Sequence, residues 1–299
     1  MPTLDLYVVV LNYNTRELLR ACLDSLRRQT GLAFETCVVD NASSDESADM
    51  VAGLFPEVRL VRSPNNAGFS AGNNLGLAAA GWPKNGNARY AMLLNPDTVV
   101  PDGALAAMLT YADAHPDAGV VGPRLLLLDG TLDKACRRGF PTPEAAFYRF
   151  SGLSKLFPRS PRFGRYNMTF APEDQELEVD SVVGACMLVR AEALQKVGLM
   201  DERFFMYGED LDWCLRIKQA GYRVMYVPSV IVHHVKRAAS RRSPKAHYEF
   251  QRAMWLFYQK HYAATTNWAL DKLVRLGLMA RGGRRLASEI MGGGAPTAG

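Results

Sequence analysis

The chain has 299 residues, 48% of them hydrophobic and 22% charged, with a formal net charge of +5. That composition excludes disorder as the default and leaves room for one large α/β domain with an appendage. Between Val235 and Arg285, twelve Lys or Arg stand against two acids, so this stretch carries +10 and the remainder −5.

A basic tail on a mildly acidic body fits an anionic partner, either a membrane surface or a phosphorylated acceptor, and equally a solvated helical face. The cysteines at 22, 37, 136, 186 and 214 form no Cys-x-x-Cys pair and read as reduced thiols. Met1–Asp5 lacks a basic n-region, and the apolar run Leu6–Leu11 is too short for a signal sequence. No stretch approaches the roughly 18 apolar residues of a spanning helix. The expectation is a cytoplasmic protein, at most peripheral at the inner face of the cell membrane.

In chain order, Leu6–Leu11 predicts a strand, and Arg16–Arg28 a helix with Leu18, Leu19, Cys22, Leu23 and Leu26 at helical spacing. Phe34–Asp40, Val58–Val61 and Tyr90–Leu94 predict further strands, separated by helices at 45–54 and 71–80. Such alternation predicts a mostly parallel central sheet flanked by helices. Ligands of such sheets bind beyond the carboxyl ends of the strands. Four polar loops follow those ends: Asn12–Asn14, Asp40–Asp45, Ser63–Asn74 and Asn95–Thr98.

Phe140 to Gln175 predicts a long irregular connection, where acceptor loops often lie. Strands are expected at Val179–Val183, Met187–Arg190, Arg223–Val227 and Val230–His234, with helices at 191–197 and 210–220. From Lys245 the pattern is helical, ending in a flexible tail over Gly292–Gly299.

Several of these residues suit specific chemistry. Asp40 could accept the imide N–H of a uracil or thymine ring, although a cap or Asx-turn suits an Asp as well. Pro64–Asn74 combines glycines and asparagines ahead of a helix, where free N–H groups meet phosphate or sugar oxygens, or simply make a turn. Asn95-Pro96-Asp97 at a strand end puts a carboxylate where Mg²⁺ or Mn²⁺ could share it with substrate phosphates. Glu209, Asp210 and Asp212 open a helix after the aromatic run Phe204–Tyr207. One carboxylate suffices for capping, so an Asp here could serve as a general base raised by its neighbours. His233 and His234 end an alternating strand, and only one can face a given side.

Together these segments resemble the inverting nucleotide-sugar glycosyltransferases of family 2, with the GT-A fold, and particularly their bacterial rhamnosyltransferase-like branch. The resemblance runs from about Leu6 to about Tyr262. Val9–Asn14, Val39–Asp45 and Asn66–Phe69 look like the nucleotide-binding half, Asn95–Asp97 like the metal motif and Gly208–Arg216 like the catalytic motif. The usual Asp-x-Asp becomes Asn95-Pro96-Asp97, one negative charge fewer.

The resemblance implies Asp210, with Glu209, in catalysis, and Asp97 with His234 as metal ligands, His233 being the alternative. It implies Asn12, Asn14, Asp40, Asn41, Asn66, Gly68, Asn74 and Asn95 as donor-binding residues. The cofactor would be Mg²⁺ or Mn²⁺, the donor a thymidine- or uridine-diphosphate sugar, rhamnose in particular, and the acceptor a glycan or lipid-linked hydroxyl. A catalytic domain would span 1–240, with a nucleotide-sugar half to about 100 and an acceptor half beyond it. A basic amphipathic helical extension would follow over 241–291. Its apolar faces would meet an anionic membrane, pack on the catalytic domain, or join a second copy as a homodimer.

Two other classes also fit parts of the sequence. A sugar nucleotidyltransferase needs a Gly-rich N-terminal loop with basic residues, and Leu11–Thr15 has no Gly. A non-catalytic nucleotide or nucleic-acid module draws only on the basic tail, and no nucleic-acid partner is expected. A dehydrogenase is disfavoured because no Gly-x-Gly-x-x-Gly follows a strand.

Overall fold

A computed structural model describes residues 4–235 and 243–292 of the chain. Outside them lie the N-terminal Met1–Thr3, four of the twelve basic residues (Lys236, Arg237, Arg241, Arg242) and the expected tail beyond Gly292.

The first half follows the expected alternation: β1 Leu4–Asn12, α1 Arg16–Arg27, β2 Phe34–Asp40, α2 Ser47–Leu54, β3 Arg59–Arg62, α3 Gly68–Ala79 and β4 Ala88–Leu94. Next come β5 Thr98–Val99, α4 Ala104–Ala114, β6 Ala118–Leu126, α5 Pro143–Phe150 and α6 Leu153–Leu156. The chain continues through β7 Leu177–Glu178, β8 Cys186–Arg190, α7 Ala191–Val197, α8 Glu209–Gln219 and β9 Arg223–His234. Two helices follow, α9 Pro244–His261 and α10 Trp268–Met291.

The strands make one sheet in the order β3-β2-β1-β4-β8-β6-β9-β5, with β7 paired to β9. β3, β2, β1 and β4 run parallel, as do β6 and β9, whereas β8 lies antiparallel between β4 and β6. The central strands are buried on both faces, as Leu6–Val10 and Ala91–Leu94 are. Helix α3 closes unusually tightly on β1. A Cβ at Gly72 or Gly76 would fall 2.4 Å from Leu11 or Val9 side-chain carbons, so only glycine permits this approach.

The irregular middle contains one substantial helix. Thr142 accepts a hydrogen bond from the Ala145 N–H and Pro143 fills the first turn, which together start α5. The strand expected at 179–183 does not form, because Ser181 and Arg138 exchange backbone hydrogen bonds in an isolated bridge. The two strands expected over 223–234 are instead one, β9, whose register with β6 shifts beside Pro228, a residue with no N–H for a ladder.

Helix α9 is part of the main core: Ala253, Leu256 and Phe257 are buried in it. Helix α10 packs on α9 through a small second cluster containing Trp255, Leu278, Leu286 and Ile290. Trp268, Leu273 and Leu276 along α10 are exposed.

Candidate active site

The carboxyl ends of β1 and β2 lie side by side, with Asn12 registered against Asp40. Buried Asn12 donates through Nδ2 to Asp40 Oδ1 at 3.2 Å and to Ser43 Oγ at 3.0 Å. The Ser43 N–H holds the other Asp40 oxygen at 3.1 Å. Each carboxylate oxygen keeps a lone pair, so Asp40 can still accept from a ring N–H. Asn14, at φ 53°, accepts from the Ser44 N–H at 2.7 Å and pins the two loops together.

Asn41 donates to Asn66 Oδ1 at 2.9 Å and accepts from the Ala67 N–H at 3.1 Å, bringing the third loop to the same edge. Gly68, at φ 88°, begins α3 under Phe205, whose carbonyl accepts from the Phe69 N–H at 2.6 Å. Asn74 does not join this group. Its amide is committed to Met200 and Glu202, stapling α3 to the 198–202 loop.

Asn95-Pro96-Asp97 turns directly into β5, whose antiparallel register sets Thr98 against His234. That pairing brings Asp97 Oδ1 within 3.2 Å of His234 Nε2. On the other side of the ring, Nδ1 lies 2.9 Å from Asp133 Oδ2. His233 is exposed on the opposite face of the strand, so the geometry selects His234. Burial alone would depress the His234 pKa, but its hydrogen bonds to Asp133 and Asp97 raise it to about 9.

These residues fit a divalent ion. With the Nδ1 proton held by Asp133, loss of the Nε2 proton would leave that nitrogen's lone pair for an ion beside Asp97. Among the described residues no group of three or more His, Cys, Asp or Glu could hold a metal, and the Asp97–His234 pair could supply two ligands. Sites that share the ion with substrate phosphates are built this way.

Asp210 lies buried in the first turn of α8. Its Oδ2 receives Arg138 Nη2 at 2.5 Å and the Gly184 N–H at 3.4 Å, and its Oδ1 receives the Leu211 N–H at 2.8 Å. Arg138 is itself buried, and its guanidinium is held charged by the Asp210 carboxylate against the cost of burial. Glu209 is buried beside them with no hydrogen-bond partner for Oε2. Burial and the Asp210 charge push its carboxyl well above the usual carboxylate range.

Asp212 faces elsewhere. It takes Arg216 at 2.9 Å, Lys260 at 2.7 Å and His261 at 2.7 Å, fastening α8 to α9. The three acids of this turn therefore occupy three different environments.

One dipeptide joins the two halves of the site. The Gly184 N–H donates to Asp210, and the next carbonyl, Ala185 O, accepts from the Asn95 N–H at 2.9 Å. Sequence reasoning missed Asp133 and Arg138. Neither stands at a readable motif, and each acts through a partner 101 or 72 residues away.

Residues 2–257 match the family model described as "Glycosyltransferase like family 2". The chain is 30% identical over 249 residues to an N-acetylglucosaminyl-diphospho-decaprenol L-rhamnosyltransferase of Mycobacterium tuberculosis, covering 80% of this chain and 79% of the relative. It is 26% identical over 243 residues to the rhamnosyltransferase WbbL of Escherichia coli, covering 78% and 85%. Among solved structures, GalNAc-T7 with UDP, GalNAc and Mn²⁺ superposes with a TM-score of 0.58 at 16% identity, over 92% of this chain and 54% of that one.

Proposed function

The chain belongs to glycosyltransferase family 2 and has its GT-A fold, and on that premise we propose a metal-dependent, inverting transfer of rhamnose from a thymidine-diphosphate donor to a lipid-linked acceptor. Family membership disfavours the nucleotidyltransferase and the non-catalytic binding module. The observation that carries the reading is the Gly184-Ala185 link, which sets the Asp210 carboxylate beside the turn that carries Asp97.

In this reading Asp40, oriented by Asn12, reads the base, and the loops of Asn41, Asn66 and Gly68 cradle the donor. Asp97 and His234 hold Mg²⁺ or Mn²⁺, which when bound neutralises charge on the departing diphosphate. Asp210 takes the proton of the acceptor hydroxyl as that oxygen attacks the anomeric carbon. Arg138, bonded to Oδ2, aims the Asp210 carboxylate. A single base with no partnered nucleophile gives inversion of configuration.

Under the same reading, residues 1–100 serve the donor, 101–240 the acceptor, and 241–291 bring the enzyme to its substrate at the cytoplasmic membrane surface. Among the described residues no helix is long and apolar enough to cross a membrane.

The deciding experiment incubates the protein with a panel of thymidine- and uridine-diphosphate sugars and Mn²⁺, scoring thermal stabilisation by mass action. Transfer to a diphospholipid-linked sugar and the anomeric configuration of the product are then followed by NMR. Retention of configuration, or full activity in chelator, would overturn the mechanism.

A further inference from the structure

A cavity of about 170 Å³ opens between α5, α9 and α10, apart from the donor loops and the Asp97–His234 pair. Its walls include Pro141, Phe147, Phe250, Met254 and Leu273, with Tyr166 and Arg281 among its few polar members. Phe147 and Leu273 are 57% and 66% exposed. A concave, mostly apolar surface with a few polar groups is the form of a small-molecule site, and water covers it poorly.

The cavity wall adjoins the segment that carries Arg138. The Tyr166 carbonyl accepts from the Gly139 N–H at 2.9 Å, and Gly139 stands between Arg138, which holds Asp210, and Phe140-Pro141 at the cavity wall. The lining also includes a cation, Arg281. Helix α10 carries Lys272, Arg275, Arg281, Arg284 and Arg285 against only Asp271 and Glu289. An occupant with an apolar chain and an anionic head satisfies both features, whereas two copies of this helix would repel each other. A flat bilayer face would not need a concavity among three helices.

We propose that this cavity binds the first isoprenoid units of a polyprenyl-diphosphate-linked acceptor, with the diphosphate met by Arg281 and the sugar end directed toward Asp210. The orientation rests on the glycosyl-transfer reading above, whereas binding of the chain can be tested without it.

The test measures binding of farnesyl diphosphate to the full-length protein by calorimetry, without divalent ion so that the donor site does not retain it. Inorganic pyrophosphate serves as the headgroup control. Leu273→Glu and Phe147→Ser alter exposed side chains, and thermal melts verify that both variants fold. The expected result is farnesyl diphosphate bound well above pyrophosphate and weakened by about tenfold or more in each variant, the neutral Phe147→Ser excluding simple charge repulsion. Binding of a thymidine-diphosphate sugar with Mn²⁺ should be unchanged in both.

Equal farnesyl diphosphate affinity in wild type and both variants overturns the proposal and leaves the enzyme reading intact. No binding of the probe, with co-sedimentation on anionic vesicles or dimerisation lost in Leu273→Glu, overturns it in favour of a membrane surface or a self-contact. The expected binding pattern with no transfer from any donor upholds the cavity and removes the enzyme reading.

Discussion

Asp133 and His234 form a buried pair in which the Asp133 carboxylate lies 2.9 Å from ring Nδ1, leaving Nε2 3.2 Å from Asp97. Under the proposed function Asp133 would orient a metal ligand, His234, without itself touching the ion. Asp133→Asn is expected to weaken Mn²⁺ activation by about 10–100-fold, with kcat at saturating metal much less affected. Mn²⁺ titration of activity, with electron paramagnetic resonance of bound Mn²⁺, reads this directly. An unchanged metal requirement would remove Asp133 from that role.

Asp210→Asn keeps the hydrogen-bonding shape of the side chain but removes its capacity to take a proton. Transfer is expected to fall by about 10²–10⁴-fold. Donor affinity should stay near the wild-type value, because in the proposed reaction the residue acts on the acceptor oxygen. If donor binding falls in parallel with transfer, the assignment of Asp210 as base fails.

The sheet was readable from the chain because its parallel strands are buried on both faces and so appear as uninterrupted apolar runs, as at Leu6–Leu11. The convergence of the Asn12, Asp40 and Asn66 loops was readable because each follows a parallel strand, and parallel strands end at one edge of the sheet. The 179–183 segment misled because an apolar β-branched run implies a strand, while its hydrogen bonds go to Arg138, far away in sequence. Asn74 follows the Asn66–Gly68 loop closely in sequence, but it lies six residues into α3 and its side chain turns to Met200. The choice between His233 and His234 needed the β5–β9 register, which no local pattern encodes.

Asp212 illustrates how a catalytic-looking acid can be structural. Although burial would raise its pKa, His261, Arg216 and Lys260 hold the carboxyl below its usual value. Asp212→Ala strands Arg216 and Lys260 beside a fully buried site and is expected to destabilise by about 3–5 kcal/mol. Chemical denaturation should report it as a lower midpoint with unchanged slope. A loss under about 1 kcal/mol would mean that the cations find water or other partners.

Gly68 combines φ 88° with a Cβ position 2.5 Å from the Phe205 carbonyl oxygen. Gly68→Ala therefore carries both backbone strain and a clash with backbone that cannot rotate away, expected to cost about 1–3 kcal/mol. Because the strain sits at the start of α3, donor affinity should drop even where the variant remains folded. Calorimetric titration with the thymidine-diphosphate sugar compares the two proteins, and equal affinity would place the donor away from this helix end.

Glu209 gives a pH signature with a defined sign. Its folded-state pKa is raised well above the ordinary value by burial and by the Asp210 charge. Below about pH 4.3 the carboxyl is protonated in both folded and unfolded chains and contributes no pH dependence. As pH rises from there to the folded-state pKa, the unfolded chain releases its proton while the folded one retains it. Native stability then declines by up to about 1.4 kcal/mol per pH unit from this group. Glu209→Gln has no proton to release, so its melting temperature relative to wild type should rise between pH 4.5 and pH 8. Parallel melts of the two proteins across that range decide the matter. A constant difference would mean that Glu209 ionises normally and that its burial beside Asp210 is relieved by water reaching Oε2.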